Sequence, residues 1–230
     1  MAGSKIYNVK EIFLTIQGEG YFLGTPSIFI RFVGCNIWSG YEADRKKDSD
    51  RTAAYCPLFC DTDFTKENSL KLTLKELLEK VAVLKGNAKH CVLTGGEPML
   101  SVDKDLILGL KKLELFIAIE TNGTVSLEKT FGTDKSSYPD WITCSPKILD
   151  PDKLVVEEID EIKLVVPQYK ISEAKFLLSR VNSKYGIKQL WLQPEDGSNI
   201  DNAKNFAVKE SLKNPSWRVG IQAHKFWNVS

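Results

Sequence analysis

Seven short apolar runs, separated by segments of helical periodicity, restrict the fold of this chain more than any other feature. The runs cover residues 27–33, 90–93, 115–119, 141–144, 162–166, 189–192 and 217–221. The clearest helix follows Thr73, an N-cap with Glu76 three positions on; Leu74, Leu77, Leu78 and Val81 share one face, and Gly86 ends it. Residues 101–112, 172–181 and 201–212 read as further helices. Strands alternating with helices imply parallel pairing through right-handed crossovers, hence an open doubly wound sheet or a whole or partial barrel.

The position of the reactive residue types separates these architectures. Strand after strand runs into polar groups: Gly34-Cys35-Asn36, Thr94-Gly95-Gly96-Glu97-Pro98, Glu120-Thr121-Asn122-Gly123, Ser145-Pro146-Lys147, Gln193-Pro194-Glu195 and Gln222-Ala223-His224-Lys225. Strand ends of an α/β barrel converge on one face, whereas an open sheet concentrates its site at a switch point. The spread favours an α/β partial TIM-like barrel with one side open. At 230 residues and 43% hydrophobic, the chain has enough apolar material for one core, and a single domain over 1–230 is expected.

A formal net charge of +1 supplies no electrostatic reason for nucleic acid or an anionic membrane as partner, so a small-molecule ligand is expected. Residues 1–10 lack the apolar core of a signal peptide, and no run approaches the roughly eighteen apolar residues of a membrane helix; a cytoplasmic protein is expected. Five cysteines, an odd number, point away from a disulfide framework and toward reduced thiols.

Cys35, Cys56 and Cys60 fall in one segment, 35–62, without apolar periodicity. Core packing, most of a zinc site and three ligands of a four-iron cluster all use three such residues. The polar, charged stretch 41–51 argues against core packing for Cys56 and Cys60. The three-residue gap between them, and the distance of His90 and His224 in sequence, argue against structural zinc. Cys91 and Cys144 lie inside strand candidates and are expected to pack; Arg45-Lys46-Lys47, mixed with acids, reads as solvated. Gly18, Gly20 and Gly24 depart from the dinucleotide fingerprint in their second gap, and no helix pattern follows.

Together these motifs resemble the radical S-adenosylmethionine (SAM) enzymes, and within them the 7-carboxy-7-deazaguanine synthase family of queuosine and 7-deazapurine biosynthesis. The resemblance runs nearly end to end, through Phe13 to Gly20, Arg31 to Asn36, Cys60-Asp61-Thr62, the Gly-Gly-Glu-Pro segment and the closing Gln-Ala-His-Lys. Gly-Gly-Glu-Pro indicates the superfamily; the Gln-Gly-Glu-Gly opening with Cys-Asp-Thr and the terminal motif is more specific. Gaps of twenty and three residues separate the three cysteines, against the usual three and two. A long gap closes at modest cost because loop entropy grows only logarithmically.

The resemblance implies a [4Fe-4S] cluster on Cys35, Cys56 and Cys60, and SAM on its open iron beside Phe59, Asp61, Gly95, Gly96, Glu97, Asn122, Ser145, Pro146, Lys147 and Gln193. It implies substrate contacts from Ile16, Gln17, Gly18, Glu19, Arg31, Thr94, His224 and Ser230, and Mg2+ at Thr62. The implied reaction turns 6-carboxy-5,6,7,8-tetrahydropterin into 7-carboxy-7-deazaguanine with loss of ammonia, a lyase-type radical step carried by the cofactor, with no catalytic side chain assigned. A flavodoxin or ferredoxin as electron donor and a homodimer are implied as well. Two other readings stand beside this one: another radical SAM protein, such as a glycyl-radical activase, and a zinc-stabilised binding module.

Overall fold

Along the strands of the computed structural model, which describes residues 5–54, 60, 62–182 and 188–229, apolar side chains occupy one face of a sheet and mostly polar or aromatic ones the other. The strands are β1 (Ile6–Ile16), β2 (Pro26–Phe32), β3 (Leu70–Thr73), β4 (His90–Gly95), β5 (Phe116–Thr121), β6 (Trp141–Cys144), β7 (Glu161–Val166), β8 (Gln189–Pro194) and β9 (Arg218–Val219). They form one sheet in the order β3-β1-β2-β4-β5-β6-β7-β8-β9. From β2 to β9 every pairing is parallel, whereas β1 pairs antiparallel with β2 and with β3. The seven parallel strands are the seven apolar runs, and the sheet is the expected partial barrel.

The helices are α1 (Arg45–Thr52), α2 (Leu74–Leu84), α3 (Lys104–Lys112), α4 (Leu127–Phe131), α5 (Ile200–Lys213) and α6 (Ala223–Trp227). Ile28, Ile30, Cys91, Leu93, Ile117 and Ile119 turn outward into the main core, where they meet Leu77 and Val81 of α2 and Leu106 and Leu110 of α3. Cys91 and Cys144 are fully buried there, as their strand positions implied. The register brings the opposite set, including Arg31, Thr94, Glu120, Thr143, Lys163 and Gln193, onto the concave face. Polar groups inside and apolar groups outside follow from α2, α3 and α5 packing their apolar residues on the convex face.

Two strands escape sequence pattern. In β1 only Tyr7 and Val9 are buried, and the rest of its apolar residues are half-exposed, so no period-2 signal survives. β3 has four residues and runs straight into the capping box of α2, where Thr73 Oγ accepts from the Glu76 N–H at 3.3 Å and Glu76 accepts from the Thr73 N–H at 2.8 Å. The charged stretch after Cys35 contains α1, held by polar contacts rather than an apolar stripe. Around 172–181 the chain makes a 3-10 helix, Lys175–Arg180, where a longer helix is expected.

The connection between β1 and β2 crosses the concave face. Tyr21 stacks on Trp141 at 5.0 Å, and Phe22 meets His90 at 4.5 Å, Phe116 at 5.3 Å and Trp141 at 5.1 Å. These rings close the end of the barrel at which the parallel strands begin. Gly20 is required at this crossing: its φ is +69°, and a Cβ would lie 2.0 Å from Glu161 Oε1. Among the described residues no helix is long and apolar enough to cross a membrane.

Candidate active site

At the opposite end, where the parallel strands finish, the concave face opens into a cavity of about 510 Å³. Cys35 and Cys60 both line it, and both pack against a small apolar cluster of Ile37, Trp38, Ala54, Phe64 and Ile148. Burial pushes the Cys35 thiol above its ordinary value, partly offset by backbone N–H groups of Trp38 and Ile37 aimed at its sulfur. Ile37 N lies 3.4 Å from that sulfur. A half-buried thiol with donors aimed at it and a second thiol on the same cavity is a donor set for a soft metal. Cys56, Phe59, Asp61 and Ser230 lie outside the described residues.

The two glycines after β4 have a steric origin. At Gly95, φ is +136° and a Cβ would sit 2.2 Å from Phe32 O; at Gly96 a Cβ would sit 2.2 Å from Gly34 O and 2.8 Å from Cys35 Cβ. Only glycine lets the end of β4 press against the turn that carries Cys35, and Glu97 N–H seals this contact by donating to Gly34 O at 2.9 Å. Gly95 and Gly96 line the cavity. The Glu97 carboxylate turns away beneath it, fully buried, accepting from Thr121 Oγ at 2.8 Å, Asn122 N–H at 2.7 Å and Met99 N–H at 3.1 Å. Burial raises this carboxyl to about 7. Glu97 and Pro146 are thus the two described members of the expected cofactor set that do not line the cavity.

Asn122, Ser145, Lys147 and Gln193 do line it. Asn122 donates to Asn36 Oδ1 at 3.0 Å and accepts from Thr124, tying the end of β5 to the cysteine turn. Lys147 donates to Ser145 Oγ at 2.7 Å. Gln193 Oε1 and Trp38 Nε1 are buried polar atoms with no hydrogen-bond partner among the described residues, on a cavity wall where a ligand would supply one.

The expected substrate residues Ile16, Gln17, Gly18, Glu19, Arg31, Thr94 and His224 all line the same cavity, as does Thr62. Gly18 lies against the C-terminal helix: a Cβ would meet His224 Nδ1 at 2.3 Å, and Ala223 N–H donates to Gly18 O at 2.9 Å. Arg31 pairs through Nε with Glu11 at 2.6 Å, and its guanidinium lies 5.8 Å from the Phe13 ring centre.

Lys163 and Glu120 are the principal additions to the expected set. Lys163 is 5% exposed, and its ammonium donates to Glu19 at 2.8 Å and Glu120 at 2.9 Å. Thr94 Oγ and Gln17 Nε2 also donate to Glu120, at 3.3 and 3.4 Å, and Gln222 Nε2 donates to Glu19 at 3.0 Å. Burial would raise the Glu19 carboxyl, yet the adjacent Lys163 holds it down at about 2. Burial alone would discharge Lys163, and the surrounding carboxylates keep it charged. A lysine inside the apolar run 162–166 was the available signal.

A barrel whose strand ends gather two thiols, a glycine-lined turn and a charged basin has the layout of a radical SAM enzyme, and the Radical SAM superfamily model matches residues 56–174. The chain is 38% identical over 232 residues to the 7-carboxy-7-deazaguanine synthase of Burkholderia multivorans, covering 97% of this chain and 99% of the relative. It is 38% identical to that of Caulobacter vibrioides (96% and 97% covered) and 31% identical to that of Escherichia coli (97% and 99%). The crystal structure of QueE from Escherichia coli superposes with a TM-score of 0.63 at 27% identity, over 94% of each chain. This chain belongs to the 7-carboxy-7-deazaguanine synthase family of radical SAM enzymes.

Proposed function

We propose that this enzyme converts 6-carboxy-5,6,7,8-tetrahydropterin into 7-carboxy-7-deazaguanine with loss of ammonia. The observation that carries the reading is that one cavity is lined both by Cys35 and Cys60 and by the residues Gln17 to Glu19, Arg31, Thr94 and His224. Cys35, Cys56 and Cys60 would hold the cluster. Gly95 and Gly96, with Asn122, Ser145, Lys147 and Gln193, would surround SAM. When bound, the cluster and SAM supply the radical that removes a hydrogen atom from the substrate.

The chain's own work is to bind, orient and exclude water. A pterin edge rich in N–H donors needs fixed acceptors, and Glu19 and Glu120, both held on the Lys163 ammonium, present carboxyl oxygens without freedom to swing. The fork of Arg31 suits the substrate carboxylate, with Glu11 fixing it through Nε. Thr62, which lines the same cavity, fits a magnesium ion that keeps most of its waters. The Tyr21 and Phe22 plug closes the far end of the barrel. A flavodoxin- or ferredoxin-type donor, a homodimer, a single domain and a cytoplasmic location complete the reading.

The test is anaerobic incubation of the reconstituted, reduced protein with SAM, Mg2+ and carboxytetrahydropterin, with mass analysis of the products. The deazaguanine acid is expected together with 5′-deoxyadenosine. Formation of 5′-deoxyadenosine without any deazapurine would overturn the substrate assignment.

A further inference from the structure

The twenty residues between Cys35 and Cys56 contain a helix that grips the turn after Cys35. Asp48, 6% exposed although its helix is almost wholly polar, accepts from Ser39 N–H at 2.7 Å and from Arg51 at 3.2 Å. Arg51 in turn donates to Asn36 O at 3.3 Å and Ile37 O at 3.2 Å. The pair thus holds the backbone of residues 36–39 from both sides, and this is the stretch whose N–H groups at Ile37 and Trp38 aim at the Cys35 sulfur. The helix is itself tied down. Ala53 turns left-handed at φ 58° to direct the chain back, Ala54 buries beside Ile37 and Trp38, and Lys153 from the β6–β7 connection donates to Thr52 O at 3.1 Å.

We infer that Asp48 and Arg51 are positioning residues that, by fixing the 36–39 turn, set the N–H to sulfur hydrogen bonds on Cys35 and through them the reduction potential of the bound cluster. The inference rests on Cys35 being a cluster ligand, as proposed above. Such hydrogen bonds stabilise the more negative, reduced cluster, so loosening the turn lowers the potential.

Charge and geometry act with different signs here, which makes the idea testable. Arg51→Lys keeps the charge and loses the fork. Asp48→Ala removes a negative charge, which taken alone would raise the potential. Iron and sulfide content, thermal unfolding and an EPR-monitored redox titration of the wild type, Arg51→Lys and Asp48→Ala are the measurements. Full iron loading with a midpoint potential below wild type in both variants is the expected result. An unchanged potential in Arg51→Lys, or a rise in Asp48→Ala, overturns the inference. Because Arg51 is largely exposed, Arg51→Lys decides the matter if Asp48→Ala folds poorly. A wild-type protein that takes up no cluster refutes instead the reading of the cysteines.

Discussion

Lys163 is the residue on which the basin depends. Its ammonium pairs with two carboxyl groups in a wall shielded from water, and breaking a buried pair by removing one partner leaves uncompensated charge. Lys163→Met should cost about 3–5 kcal/mol of unfolding free energy at pH 7.5. The sign with pH follows from Glu19, which Lys163 holds down at about 2. A depressed carboxyl contributes stability above its unfolded value and loses it as pH falls toward 2, so the deficit of the variant should be largest at neutral pH and shrink in acid. Urea unfolding across that range measures this; a deficit constant with pH would mean that the side chain's packing, not its charge, matters. Glu120 and Glu19 stand among motif residues in the sequence, but no local pattern shows that they share one cation. Glu19 lies 144 residues from Lys163.

Among the elements, the β1–β2 connection is the least readable from sequence and the most consequential for the cavity. Its glycines look like a broken nucleotide fingerprint; in the fold they let the chain pass within contact of Glu161 and His224. Glu161 accepts from Tyr21 N–H at 3.1 Å and from the Trp141 indole at 3.2 Å, and burial raises its carboxyl to about 7. A carboxyl raised in the folded state contributes stability below its unfolded value, near 4.3, and loses it as pH climbs through about 7. Glu161→Gln does not titrate. Its stability relative to wild type should therefore improve by about 3 kcal/mol between pH 4.5 and 8, a difference that calorimetry at both ends of the window would detect. Equal pH profiles for the two proteins would show that Glu161 ionises normally. At the other extreme of legibility is α2, whose Thr73–Glu76 capping box is visible in the sequence because its partners are three residues apart.

At the scale of the whole molecule, the number of parallel strands, their order of appearance and the gathering of site residues at their ends were legible because apolar runs and turn chemistry are local properties. The half-exposed β1, the four-residue β3 and the polar α1 were not, since each is stabilised by distant neighbours rather than by its own pattern. Of the expected site, most residues on strand ends line one cavity, while Glu97 turns under the floor, where Thr121 and Asn122 at the end of β5 and Met99 two residues on claim its oxygens. Sequence by itself determined the chemistry on offer: thiols in one segment, glycines where backbones must touch, an arginine and a histidine at strand and chain ends. Only the tertiary structure decided which charges share the cavity, which face of each strand looks inward, and what grips the cysteine turn. Those outcomes depend on contacts between residues far apart in the chain, whose energies appear only once the sheet has curved and brought them together.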